Sequence, residues 1–127
     1  LLQHAEDVLM ATSLARGTPA TVLRPTLVYG AARDATLSRI AQVAQRTRVF
    51  PLPRRAVGLR QPVHVDDLAD AALACLAHAH TAGRAYDTPG GEDVPYREMV
   101  RRVLHALEPP ARLLELPAPL FDVVRRL

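Results

Sequence analysis

Segments with apolar residues at helical spacing alternate with short β-branched or apolar runs along this 127-residue chain, and proline or glycine cuts most of those runs short. That alternation predicts α/β architecture, because a helix stripe and a strand face each need a layer to be buried against. Leu1 to about Arg16 carries Leu1, Ala5, Val8, Ala11 and Ala15 at helical spacing, with Gly17 as the C-terminal stop. Thr21-Val22-Leu23 reads as a strand that Pro25 ends, since proline has no N–H for a ladder. A loop is expected from there through Gly30 to Asp34. Leu37, Ile40, Ala41 and Ala44 mark a second helix, with Asp34 or Thr36 as its N-cap.

Further along, Pro51 and Pro53 bracket an extended, exposed piece around Arg54-Arg55. Pro62-Val63-His64-Val65 reads as a strand running into a third helix. Asp67 and Asp70 stand at capping-box spacing there, and Leu68, Ala72, Cys75, Leu76 and Ala79 are the expected buried face. Ala85-Tyr86-Asp87 is another strand, turned by Pro89-Gly90-Gly91. Pro95 suits the first turn of a fourth helix, with Tyr96, Met99, Val100, Val103 and Leu107 inward and Glu98 paired to Arg102 outside. Pro109-Pro110 ends it, and Leu113 to Leu116 reads as a last strand before an amphipathic segment of Leu120, Val123, Val124 and Leu127. So few strands do not make a balanced sheet; they are expected to complete one begun upstream.

Composition narrows the chemistry. All 16 basic residues are arginine, so no Schiff base and no Tyr/Lys pair is available within this segment. The arginines come in ones and twos, and five aromatics without tryptophan leave little to stack on bases, so no nucleic-acid partner is expected. Cys75 is the only cysteine, which excludes an internal disulfide and fits a reducing cytosol. With no membrane-length apolar run, a cytoplasmic location without membrane association is expected. The first methionine is Met10, inside the first helix, so a longer or processed native product is expected.

Two segments carry the functional signal. Arg24-Pro25-Thr26-Leu27-Val28-Tyr29-Gly30 is a strand that ends at proline and opens toward glycine, a geometry that places backbone at the edge of a parallel sheet where α/β ligands bind. Gly58-Leu59-Arg60-Gln61-Pro62-Val63-His64-Val65-Asp66-Asp67-Leu68-Ala69-Asp70 presents an arginine whose guanidinium fork suits phosphate oxygens. Together they resemble the C-terminal half of extended short-chain dehydrogenase/reductases, the NAD-dependent epimerase/dehydratase family acting on nucleotide sugars.

That resemblance implies the last elements of a Rossmann-like doubly wound sheet plus a small C-terminal substrate domain. Residues 1–35 would end the Rossmann-like part and 36–127 would be mainly the substrate-binding domain, with a strand and helix near 61–80 returning to the first. It implies NAD or NADP as cofactor, a small-molecule substrate such as a nucleotide sugar, and a homodimer. Pro25 and Thr26 would touch the nicotinamide, Leu27 would face the substrate, and Arg60 would clamp the nucleotide diphosphate. Many sugar-nucleotide members carry Asn at the Leu27 position and Asp at the Gln61 position, so this chain departs from them twice.

The family's Gly-rich cofactor loop and Tyr-x-x-x-Lys pair have no counterpart here. Ala5-Glu6 matches the pair that follows the family's lysine, which places that lysine near Leu2. Tyr29-x-x-x-Arg33 copies the spacing only; a larger, planar arginine beside a glycine loop does not replace that lysine, and no catalytic residue is assigned. Asp66, Asp67 and Asp70 are expected to favour a helix N-terminus rather than do acid/base work, and His64 to be packed or hydrogen-bonded. Cys75 and His78 share a helix face but His80 points elsewhere, so no metal is expected. Three functions follow: part of an active epimerase, dehydratase or reductase; part of a catalytically silent dinucleotide-binding protein; or an autonomous interaction module.

Overall fold

A computed structural model describes residues 2–31 and 34–124, apart from the side chains of Asp122 and Val124. The expectations that involve Leu1, Arg33, the Val124 side chain and Leu127 lie outside those residues. Helix α1 spans Leu2–Arg16. It ends where Gly17 turns left-handed at φ +63°, and the Thr18 N–H reaches back to the Ser13 carbonyl at 3.1 Å. The helix is the expected one, but it buries none of its described residues. Val8 is 52% exposed and Ala5, Ala11 and Ala15 are exposed, while Met10, Ser13 and Glu6, which pairs with Arg24, are half-buried.

Strand β1 (Val22–Pro25) pairs in parallel with β6 (Ala85–Thr88), and β2 (Leu27–Tyr29) pairs in parallel with β5 (Pro62–His64). The loop expected after Pro25 is therefore partly strand. Proline ends the ladder with one neighbour, and the chain changes partner at Thr26 instead of leaving the extended state. Helix α2 (Leu37–Thr47) is capped by Asp34, whose carboxylate accepts the N–H groups of Thr36 (3.1 Å), Leu37 (2.5 Å) and Ser38 (3.0 Å). Thr36 contributes no side-chain cap bond.

Strand β3 (Val49–Pro53) runs parallel to β8 (Arg112–Leu116). The expected extended piece is present and exposed at Arg54 and Arg55, but within the strand Leu52 is buried and Phe50, Pro51 and Pro53 are half-buried. Two prolines are tolerated because β3 has one partner, leaving an edge that needs no donors. Short β4 (Leu59–Arg60) and β7 (Val94–Pro95) pair antiparallel.

Helix α3 (Val65–Ala77) starts earlier than capping-box spacing implies. Its N-cap is His64, whose Nδ1 accepts the Asp66 N–H at 3.3 Å, so Asp66 and Asp67 lie in the first turn and act through the helix dipole. Leu68, Ala72 and Cys75 are half-buried as expected, but Leu76 is 85% exposed and Ala79 stands exposed in the 3-10 turn that follows.

The core lies between α2, β3 and α4 (Tyr96–His105): Ile40, Ala44, Leu52, Val100, Leu104 and Leu107 form one buried cluster. The α4 stripe follows the sequence pattern, with Leu104 added to it, and Glu98 pairs with Arg102 at 3.3 Å on the outer side. Helix α5 (Ala118–Val124) packs near β3. No helix of the described residues is long and apolar enough to cross a membrane.

Candidate functional site

The junction between β1 and β2 opens onto a cleft of about 440 Å³ lined by Thr26, Leu27, Leu59, Arg60, Gln61 and Asp93. Three of the four residues singled out in the sequence thus share one wall system. The fourth, Pro25, is exposed at the end of β1 and does not line it. The Thr26 hydroxyl donates to the Gln61 carbonyl, which also accepts the Gly90 N–H at 3.2 Å. Those two bonds hold the backbone next to Arg60. A Cβ on Gly90 would lie 1.8 Å from the Pro62 carbonyl oxygen, so only glycine permits this approach. The Tyr96 N–H donates to the Gly58 carbonyl at 2.8 Å, fixing the other end of the Arg60 segment to the start of α4.

Arg60 lies with its guanidinium 5.5 Å from the centre of the Tyr96 ring, and one Nη donates to the Leu59 carbonyl at 2.7 Å. Among the described residues no carboxylate comes within ion-pair distance of it. An exposed cation stacked on an aromatic face retains free donors for an anion. Arg24 next door is spent differently: it pairs with Glu6 at 2.5 Å and lies 3.6 Å from Asp87, tying α1 to β1 and β6. The Arg24 hydrogen bond holds the Glu6 carboxyl below its ordinary range, against a smaller opposing effect of burial.

A larger cavity of about 610 Å³ lies between β2, β5, α2 and α4. Its walls are largely aliphatic, with Leu37, Met99, Val103 and Leu107 among them. Three of its charged groups are already engaged. Arg102 grips Glu92 through two bonds of 2.8 and 2.9 Å, and Asp34 caps α2. The smaller cleft, by contrast, presents in Arg60 a cation with no carboxylate partner among the described residues.

His64 is packed as the sequence implies: its ring meets Tyr29 edge-on at 5.1 Å, and a Cβ on Gly30 would come within 2.8 Å of its Nε2. The Arg33 half of the Tyr29-x-x-x-Arg33 spacing lies outside the described residues. The rings of His78 and His80 meet edge to face at 5.5 Å, closer than a continuous helix would bring them, because α3 stops at Ala77. Among the described residues no three His, Cys, Asp or Glu side chains gather as a metal site would require.

Sequence reasoning missed Asp93 and the role of Gly90. Asp93 reaches the cleft through the antiparallel register of β4 with β7, a pairing across more than thirty positions that no local pattern announces. Gly90 was readable only as a turn residue.

Parallel strand pairs with helices packed on them define a partial Rossmann-like α/β protein. The chain belongs to the NAD dependent epimerase/dehydratase family, whose sequence profile matches residues 3–87. It is 27% identical over 118 residues to a UDP-glucose 4-epimerase of Vibrio cholerae, covering 93% of this chain and 35% of that protein. It is 33% identical over 102 residues to a dTDP-L-rhamnose 4-epimerase of Burkholderia thailandensis, covering 76% and 28%. The chain thus spans about a third of the length of these relatives. Among solved structures, an epimerase from Methanothermobacter thermautotrophicus superposes with a TM-score of 0.75 at 18% identity, over 88% of this chain and 35% of the other. A UDP-glucose 4-epimerase from Thermotoga maritima, solved with UDP-glucose, gives 0.67 at 18% identity, over 91% and 40%. These two likenesses establish a shared fold.

Proposed function

We propose that this chain supplies the substrate side of an NAD(P)-dependent nucleotide-sugar epimerase or dehydratase. The carrying observation is Arg60, unpaired among the described carboxylates and sharing a cleft with Thr26 and Leu27. In this proposal Arg60 holds the diphosphate, Leu27 faces the sugar, and Pro25 and Thr26 lie toward the nicotinamide. Pro25 suits that place, being an exposed ring at a strand end, and Thr26 suits it through its backbone, since its hydroxyl is taken by Gln61. The nicotinamide cofactor, when bound, accepts and returns hydride at a sugar carbon; this chain's residues orient the sugar and hold its phosphates. The division into 1–35 and 36–127, with 61–80 returning to the first part, belongs to the same proposal, as do a cytoplasmic location and a homodimer.

The test is the affinity of the native gene product for a nucleoside diphosphate, with and without Arg60→Ala. Loss of the charged hydrogen bonds is expected to weaken binding by roughly 1.5–3 kcal/mol. An unchanged dissociation constant would remove the clamp. A second reading, a catalytically silent dinucleotide-binding protein or interaction module, draws on Leu2, which stands where the family's lysine is expected. Hydride transfer from an added sugar nucleotide to bound oxidised cofactor, which reduces the nicotinamide and leaves a keto sugar, separates the two.

A further inference from the structure

The cleft divides its polar and apolar capacity unequally. Arg60 offers a cation, and Asp93 offers a carboxylate that, when ionised, accepts hydrogen bonds and donates none. The two are more than an ion-pair distance apart, so neither neutralises the other. On the other side Leu27 is half-buried and offers no hydrogen-bonding group, Leu59 extends the apolar wall, and the Thr26 hydroxyl is already donated to Gln61. A ligand filling this space meets an anion receptor, a hydroxyl receptor and an apolar wall in one place.

We infer that Asp93 is a further substrate-binding residue, accepting sugar hydroxyls while Arg60 holds the diphosphate, and that Leu27 selects a sugar deoxygenated on the face turned to it. This rests on the nucleotide-sugar proposal above and narrows it to deoxysugar nucleotides. The physical reason is asymmetric. A hydroxyl pressed against Leu27 loses water without gaining a partner, whereas a methyl group there loses nothing. An apolar wall rejects an added hydroxyl only modestly, within about a hundredfold. Asp93 works the other way. Its carboxylate is exposed at the cleft mouth and accepts a sugar hydroxyl in place of water, so the two residues together orient the ring.

The experiment is calorimetric titration of the native gene product with three probes: dTDP alone, dTDP-glucose and dTDP-6-deoxyglucose. The expected result is about tenfold tighter binding of the 6-deoxy sugar than of its parent, a preference abolished or reversed by Leu27→Asn. Asp93→Asn is expected to weaken both sugar nucleotides by about tenfold while leaving dTDP unaffected or slightly tighter, because a negative charge near the phosphates is gone. Equal affinities for the two sugars that Leu27→Asn and Asp93→Asn both leave unchanged would overturn this inference while leaving the clamp intact. Failure of dTDP and UDP alike to bind would overturn the nucleotide-sugar proposal and this inference with it; where UDP alone binds, the UDP-linked sugar pair replaces the dTDP-linked one. A uniform loss of all three ligands in Asp93→Asn would identify that residue as structural and overturn its assignment.

Discussion

At the scale of single residues, the site is held by backbone contacts more than by the side chains that would touch a ligand. The Gln61 carbonyl receives the Thr26 hydroxyl and the Gly90 N–H, and Gly90 sits so near Pro62 that any side chain meets the carbonyl oxygen at 1.8 Å. Gly90→Ala is therefore expected to displace the Arg60 segment. Ligand affinity should fall together with thermal stability, which a melting curve and a titration on the same sample would check. Asp34 gives a pH signature. Burial raises its carboxyl pKa, but the Ser38 hydroxyl and the N–H groups of Ser38, Leu37 and Thr36 outweigh that, so the net shift is downward. A folded-state pKa below the unfolded one contributes stability above the unfolded value, near 3.9, and loses it as pH falls through the lower folded value. Asp34→Asn keeps an N-capping oxygen but cannot titrate, so its stability should change less than wild type between about pH 5 and pH 2. Urea midpoints across that range decide it; parallel curves would refute the assignment.

At the scale of elements, the chain buries its helices unevenly. Helix α4 packs Met99, Val100 and Leu104 fully inward, and α2 supplies Ile40 and Ala44 against them. Helices α1 and α3 bury no residue completely and expose Leu14 at 86% and Leu76 at 85%. Leu104→Ala is expected to cost about 2–5 kcal/mol through lost contacts and a residual cavity. Leu76→Gln should change stability by no more than about 0.5 kcal/mol in either direction. Denaturant unfolding of the two variants of the native protein checks the contrast. A large loss from Leu76→Gln would mean that its exposed face is covered in the native molecule. The different legibility of these helices has the same origin. In α4 the periodic apolar stripe and the buried face coincide, so the sequence reads correctly. In α1 no described residue is buried, so its apolar spacing marks a helix but no buried face within this chain, and the half-buried Glu6 pairs with Arg24. The capping of α3 misled, because an imidazole can accept the N–H that capping-box spacing assigns to a carboxylate.

At the scale of the whole molecule, the described residues form four separate two-stranded ladders, three parallel and one antiparallel. Parallel ladders require crossovers, and here β2 reaches β5 only after α2, β3 and β4 have intervened. That long excursion brings Arg60 and Gln61 beside Thr26 and Leu27, and the β4–β7 register then adds Asp93. Weakening that register is expected to affect the ligand more than the core, since the main buried cluster lies in α2, β3 and α4. Val94→Ala, at a position only 2% exposed and paired with Arg60, should both lower stability and loosen nucleoside-diphosphate binding. Unchanged affinity in a destabilised variant would show the cleft to be independent of that pairing.

The sequence by itself determined the alternation of helices and strands, the inward face of α4, the strand that feeds α3, and the two segments whose likeness placed the chain in its family. All of these are local, fixed by side-chain period, proline and glycine within a few residues. Only the tertiary structure decided which strands pair, that the chain past Pro25 stays extended, and that Asp93 joins Arg60 and Leu27 in one cleft. Those outcomes depend on contacts between residues far apart in the chain, and local periodicity contains no information about which distant backbone will supply the partner.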